Sequence, residues 1–215
     1  MKRLLLSVAA CGALSLGAHG QSGPADARHA TVLDLTGATG PTQNYASAAA
    51  WRLWGLDAGG RFQVGLGLRA SHYFAGSSLL DNQTTAGGAG IQVWDPRLTA
   101  LNAAFHVRAR VAGPVRLGFN LDVLGASFGP ARSLEAPGLG AGAQAQVSPV
   151  RGNLLLGGTR DRGSLNSEFY AAVALPQGLS LRVGWSHIVT AYATDADRYR
   201  RFRNLAALGV SYQLP

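Results

Sequence analysis

Alternation with a period of two sets the strongest limit on this chain. From Leu101 every second residue is apolar, through Ala103, Phe105, Val107, Ala109 and Val111, with Asn102, Ala104, His106, Arg108 and Arg110 between them. After Ala112-Gly113-Pro114 the pattern resumes, setting Val115, Leu117, Phe119, Leu121 and Val123 against Arg116, Gly118, Asn120 and Asp122. Successive side chains on a strand point to opposite faces, so each run makes a ribbon with one greasy side and one polar side.

The same pattern returns elsewhere. Phe62, Val64, Leu66 and Leu68 oppose Gln63, Gly65, Gly67 and Arg69; Leu179, Leu181, Val183 and Trp185 oppose Ser180, Arg182, Gly184 and Ser186. Phe169, Ala171, Val173 and Leu175 oppose Glu168, Tyr170, Ala172 and Ala174, and residues 206–214 close the chain in the same way. Two weaker runs put Leu33 and Leu35 against Asp34, and Ala49, Trp51 and Leu53 against Ala48, Arg52 and Trp54. Tight turns are expected at residues 57–60, 112–114 and 176–178, and longer joins at about 38–43, 76–98, 127–166 and 194–202. Eight strands with alternating short and long connections predict an all-β fold: an antiparallel up-and-down transmembrane β-barrel with both termini beside the short turns.

The polar face decides the orientation. It is built of Gly65, Gly67, Gly118, Gly184, Gly209, Ala104, Ser180 and Ser211 with arginines between them. A narrow barrel needs small residues inside, where side chains from all strands converge, whereas glycine on a solvent face would only weaken a strand. The other face is bulky and uncharged, as a lipid-facing surface must be. The expected lumen set is Asp34, Arg52, Arg69, His106, Arg108, Arg110, Arg116, Asn120, Asp122, Glu168 and Arg182. A hairpin centred on Gly113 brings Arg108 near Gly118 and Ala104 near Asp122, within diagonal reach of an Arg108–Asp122 pair. Trp51, Trp54, Tyr73, Phe74, Tyr192 and Tyr212 near the strand ends are expected to form interfacial girdles.

The overall pattern resembles the small outer-membrane β-barrel proteins typified by the OmpA transmembrane domain. The stretch "NLLLGGTRDRGSLNSEFYAAVALPQGLSLRVGWS" is similar to uncharacterised outer-membrane barrel proteins of the Bacteroidota. The resemblance implies a bacterial outer-membrane location, contact with membrane lipid and lipopolysaccharide, and insertion by the barrel assembly machinery. The chain departs from the family at its end, which reads Tyr212-Gln213-Leu214-Pro215 where such barrels usually finish on an aromatic residue.

The N-terminus is consistent with export. Met1-Lys2-Arg3, the apolar run 4–16 and the small residues up to Gly20 read as a signal peptide over 1–20, leaving a periplasmic lead over 21–28 and the barrel over 29–215. Cys11, the sole cysteine, falls inside that leader, so the mature chain is expected to hold no disulfide, cysteine-ligated zinc or cysteine nucleophile. A charged fraction of only 14% alongside 29 glycines is unusual for a soluble exported domain. Losing Lys2 and Arg3 takes the formal charge from +8 to +6, carried entirely by arginine.

Catalytic patterns are weak. Ser71-His72 and Ser186-His187 are adjacent pairs whose members point to opposite faces of a strand. A cross-strand Ser186–His106 contact, oriented by Glu168 or Asp122, is the best nucleophile–base candidate for a lipid-A-modifying enzyme. No histidines are spaced as metal ligands, so neither metal nor cofactor is expected. The densest charge cluster, "DADRYRRFR", offers Arg198, Arg200, Arg201 and Arg203 as phosphate or lipopolysaccharide contacts, ahead of nucleic acid. The 127–166 join reads as a long external loop: a strand extension, a plug, or two further strands making ten. The expected function is non-catalytic: envelope structure, surface interaction or a narrow solute path through a largely filled lumen. The alternatives are the lipid-A enzyme and a soluble periplasmic lipocalin-like carrier.

Overall fold

The computed structural model describes residues 29–84, 88–135 and 145–215. The expected signal peptide and lead lie outside them, as does the middle of the 127–166 join. Thirteen strands occur among the described residues: β1 (His29–Thr39), β2 (Gln43–Gly55), β3 (Phe62–Ala75), β4 (Ser77–Asn82), β5 (Ile91–Trp94), β6 (Arg97–Ala112), β7 (Val115–Phe128), β8 (Arg132–Glu135), β9 (Ala145–Pro149), β10 (Gly152–Leu154), β11 (Leu165–Ala174), β12 (Leu179–Ala193) and β13 (Arg198–Gln213). Every pairing is antiparallel.

The long strands pair in sequence: β1 with β2, then β3, β6, β7, β11, β12 and β13. β13 then pairs back with β1, from Val32↔Gln213 to Thr39↔Ala206, so the series of pairings returns to its start. Each strand predicted from alternation lies within one of these eight to within a residue at its end, Leu175 and Leu214 falling just outside β11 and β13.

Sharp turns join the strands at one end. Gly60, at φ +58°, follows Asp57, whose Oδ1 accepts the Phe62 amide at 2.8 Å. Gly113, at φ +46°, makes the β6–β7 turn. The predicted register there is present, with Arg108 opposite Gly118 and Ala104 opposite Asp122.

At the opposite end the connections are not plain loops. β12 and β13 stay paired up to Ala193↔Arg198, beyond the last pairs of β11–β12 (Leu165↔Val189) and β1–β13 (Thr39↔Ala206). Their freed outer edges are taken by β9 and β4, and β4–β5–β8–β9 completes the circuit. A second, six-stranded ring therefore sits on the first and shares β12 and β13 with it. Its inside is apolar, packed with Leu80, Ile91, Val93, Leu134, Val147, Tyr192 and Tyr199. The predicted join at 194–202 shrinks to a turn, because Arg198 already begins β13.

Burial follows the alternation. Leu35, Leu66, Leu68, Leu101, Phe105, Phe119, Leu181, Trp185 and Leu208 are exposed on the outside, while Asp34, Arg69, His106, Asn120, Asp122, Glu168 and Arg182 are buried inside.

β2 corrects one expectation. Trp51 and Leu53 are 1% and 0% exposed and point inward, whereas Arg52 stands on the outer face and donates to Thr31 Oγ1 at 2.9 Å. The alanine run ahead of Trp51 gives no polar contrast from which a face could be read. Pairing of Val32 with Trp51 fixes it, as does the bond from the indole to Asp34. The predicted girdle is corrected in the same way: Trp51, Tyr73 and Tyr192 are interior, while Trp54 and Phe74 are exposed.

Candidate functional site

Inward-facing residues of seven strands meet in one polar network along the axis of the main ring. Asp34 on β1 accepts the Trp51 indole N–H at 2.7 Å and a guanidinium N–H of Arg182. The other arm of Arg182 donates to Glu168 Oε1 at 2.7 Å, and its guanidinium lies 3.8 Å from the Tyr170 ring centroid. Glu168 also accepts Asn120 Nδ2 at 3.2 Å, and Asn120 Oδ1 accepts from Arg69. Arg69 pairs with Asp122 at 2.8 Å, and Asp122 is held further by Asn102 Nδ2 and the Asn166 amide. Asn102, Asn153, Ser127 and Ser164 continue the bonding toward the outer end.

The Arg108–Asp122 pair inferred from the sequence does not form. Arg69 reaches Asp122 from β3, while Arg108 donates to Gln63 at 2.5 Å and Gln213 at 3.0 Å. Inside the main ring the buried charges balance, with Arg69, Arg108 and Arg182 against Asp34, Asp122 and Glu168. Arg110 and Arg116 share the inward face but sit opposite each other beside the Gly113 turn, where Arg110 is exposed and Arg116 half-buried. Like charges at the wet mouth can keep their hydration, which those at mid-axis cannot.

His106 is 1% exposed and shares a 2.7 Å hydrogen bond between its Nε2 and the Tyr170 hydroxyl, with Trp51 packed edge-on against its ring. Ser186 Oγ is buried and makes no hydrogen bond, so the proposed Ser186–His106 dyad is not assembled. His72 bonds Thr99, and His187 bonds Asn204. Among the described residues no His, Asp and Glu side chains cluster as metal ligands.

Apolar layers close the axis on either side of the network. Ala30, Val32, Ala49, Leu53 and Ala104 surround Trp51 towards the turns, and Tyr45, Tyr73, Leu98, Ile188 and Leu205 pack beyond Asp122. A cavity of about 10 Å³ beside Tyr45, Asn102 and Asp122 is at the lower limit for one water.

The four arginines read from "DADRYRRFR" are split by the strand. Arg201 pairs with Asp81 at 3.3 Å, and Arg203 donates to Gln43 at 2.9 Å. Arg198 and Arg200 take the other face and line a separate recess of about 140 Å³ with Arg160 and Arg162. Burial lowers the Arg200 guanidinium pKa from its ordinary value.

Sequence reading did not single out Asn102, Tyr170 or the pair Arg160 and Arg162, and it placed Trp51 in the girdle rather than on the axis. Asn102 and Tyr170 already stood on the polar side of their alternation. Trp51 carried no such signal, and the two arginines lie in a stretch without period.

No protein-family model matches the chain, and no curated protein is detectably similar to it. Among solved structures, Neisserial surface protein A is similar at 12% identity and a TM-score of 0.43, covering 86% of this chain and 97% of its own. The Yersinia pestis outer membrane protein Ail gives 10% and 0.40, over 86% and 99%. A major outer membrane protein from Thermus thermophilus gives 15% and 0.41, over 86% and 99%. With TM-scores below 0.5, these likenesses carry no information on what this chain binds or does.

Proposed function

We propose that this chain is an eight-stranded transmembrane β-barrel of the bacterial outer membrane, with a filled lumen and a structural or surface-interaction role. One observation carries the reading: a closed circuit of eight strands presents leucines and aromatics outward and a neutral ion network inward. Water would not stabilise that distribution, since soluble proteins seldom expose large contiguous apolar surface. Hydrocarbon accepts it because a closed circuit leaves no unpaired strand edge. A soluble lipocalin-like carrier would instead turn its apolar face toward a ligand cavity.

The dimensions agree. Exposed Phe62 and Phe74 lie at opposite ends of β3. Twelve steps at roughly 3.3 Å span about 40 Å along the strand. A tilt of about 40° leaves roughly 30 Å of height, close to an apolar band with its flanking girdles. In this reading the turns and C-terminus face the periplasm, the six-stranded ring faces outward, and lipid and lipopolysaccharide surround the wall. Insertion falls to the barrel assembly machinery. Filling of the axis supports a non-conducting, non-catalytic role over a solute path or a lipid-A-modifying enzyme.

Cell fractionation with heat-modifiable gel mobility tests the reading. Recovery in detergent-extracted outer membrane, with a mobility shift on boiling, is expected. Release without detergent as an unshifted species would overturn it.

A further inference from the structure

We infer that the recess lined by Arg160, Arg162, Arg198 and Arg200 is a binding site for a phosphate group. Two of these arginines come from the turn of chain between β10 and β11, and two from the outer face of β13 beyond the main ring. The fold therefore brings together cations from segments almost forty residues apart in sequence.

Among the described residues the one carboxylate of the recess, Asp161, acts on Arg200 and offsets only part of the charge of four arginines. Its Oδ1 accepts the amides of Leu156 and Gly157 at 2.8 and 2.6 Å. Arg200 is 3% exposed and is fixed as a floor by Nη1 to Asp161 O at 2.9 Å and Nη2 to Gln83 Oε1 at 3.0 Å. Arg160, Arg162 and Arg198 are exposed, and among the described residues none of the three makes an ion pair. Two arginines of the same six-stranded ring do find carboxylates: Arg201 meets Asp81, and Arg132 meets Asp95.

Like charges gathered in excess around a recess repel, and an anion that joins them relieves the repulsion. Guanidinium is the donor suited to tetrahedral oxyanions, because its planar fork gives two parallel N–H bonds. At about 140 Å³ the recess has the volume of roughly four or five waters at ~30 Å³ each, enough for a phosphate and its first hydration partners.

The phosphate could arrive on a lipid headgroup or free in solution, and the lipid source alone depends on the membrane reading above. The full chain in maltoside micelles, which hold no phosphate, distinguishes the two. Inorganic phosphate is titrated in one arm, micelles doped with phosphatidic acid in a second, and phosphatidylcholine serves as control. Shifts of the arginine Nε–H resonances of Arg160, Arg162 and Arg198 with phosphatidic acid alone assign the site to lipid. Equal shifts with inorganic phosphate assign it to the free anion. The double variant R160Q/R162Q is expected to weaken binding at least about tenfold, the scale of one charge-assisted hydrogen bond. R201Q/R203Q, on the opposite face, is expected to retain it.

No shift with either phosphate source, or undiminished binding in R160Q/R162Q, would overturn the proposal. Heat-modifiable mobility of the same samples reports the barrel separately.

Discussion

Trp51 Nε1 donates to Asp34 Oδ2 across 2.7 Å, the same oxygen that Arg182 engages. This contact turns β2 so that its tryptophan faces the axis and Arg52 faces outward. It also shows what stabilises the interior: each buried carboxylate satisfies donors from several strands at once, so side chains tie together strands that the backbone ladders join only in pairs.

Removing the central cation should therefore be costly. Arg182→Met leaves Asp34 and Glu168 buried without it, and a loss of about 3–5 kcal/mol is expected. The triple variant Asp34→Asn, Glu168→Gln, Arg182→Met should recover much of that loss. Urea unfolding in micelles, followed by tryptophan fluorescence, checks both. An Arg182→Met midpoint equal to wild type would show that the network adds nothing.

Gly118 lies across from Tyr170, and a Cβ at this glycine would fall on the tyrosine ring. Gly118→Ala is expected to destabilise by roughly 1–3 kcal/mol through overpacking. The same change in a Tyr170→Leu background should cost less, which a double-mutant cycle measures.

The outer face should discriminate by depth. Leu68→Arg, near mid-wall, is expected to cost about 2–4 kcal/mol in a bilayer, the range for a cation at the midplane. Arg52→Leu should change stability by less than about 1 kcal/mol, since its guanidinium reaches toward the turn end and Thr31. Spin labels at Phe105 and Phe119 should report acyl-chain contact; aqueous exposure there would invert the proposed wall.

Acid should loosen the first turn. Backbone amides, chiefly that of Phe62, hold the exposed Asp57 carboxyl below its ordinary pKa. A lowered folded pKa means the contribution is fully present above the unfolded value near 3.9 and is lost as pH falls through the folded one. The Phe62 amide resonance should therefore move only below about pH 4, with a midpoint under the usual aspartate value. Asp57→Asn should abolish that titration.

Planar bilayers give a functional check. With tryptophan, ion network and apolar layers stacked along the axis, no stable conductance is expected from the purified protein. Large, lasting steps would contradict the filled lumen.

The long strands were legible in the sequence because an apolar outer wall and a crowded axis impose opposite demands on alternate residues. Leu68 beside Arg69 carries that demand openly. β2 was misread at Arg52 because alanine satisfies either side. The partner of Asp122 was misassigned for another reason: proximity in a hairpin favours Arg108, yet Arg69 reaches past β6 from β3, a contact between strands that are not neighbours and that no hairpin spacing encodes. Of the recess arginines, Arg160 and Arg162 were illegible on the same ground. Arg160 acquires its neighbours only when the segment after β10 folds back against β13.

Because β12 and β13 belong to both circuits, the smaller one depends on the larger. Its remaining members come from connections far apart in sequence, 77–94 and 132–149, and cannot meet until the wall is built. It should thus be the last part to mature. An antibody raised against that assembled crown would recognise finished molecules and ignore those whose wall is still incomplete.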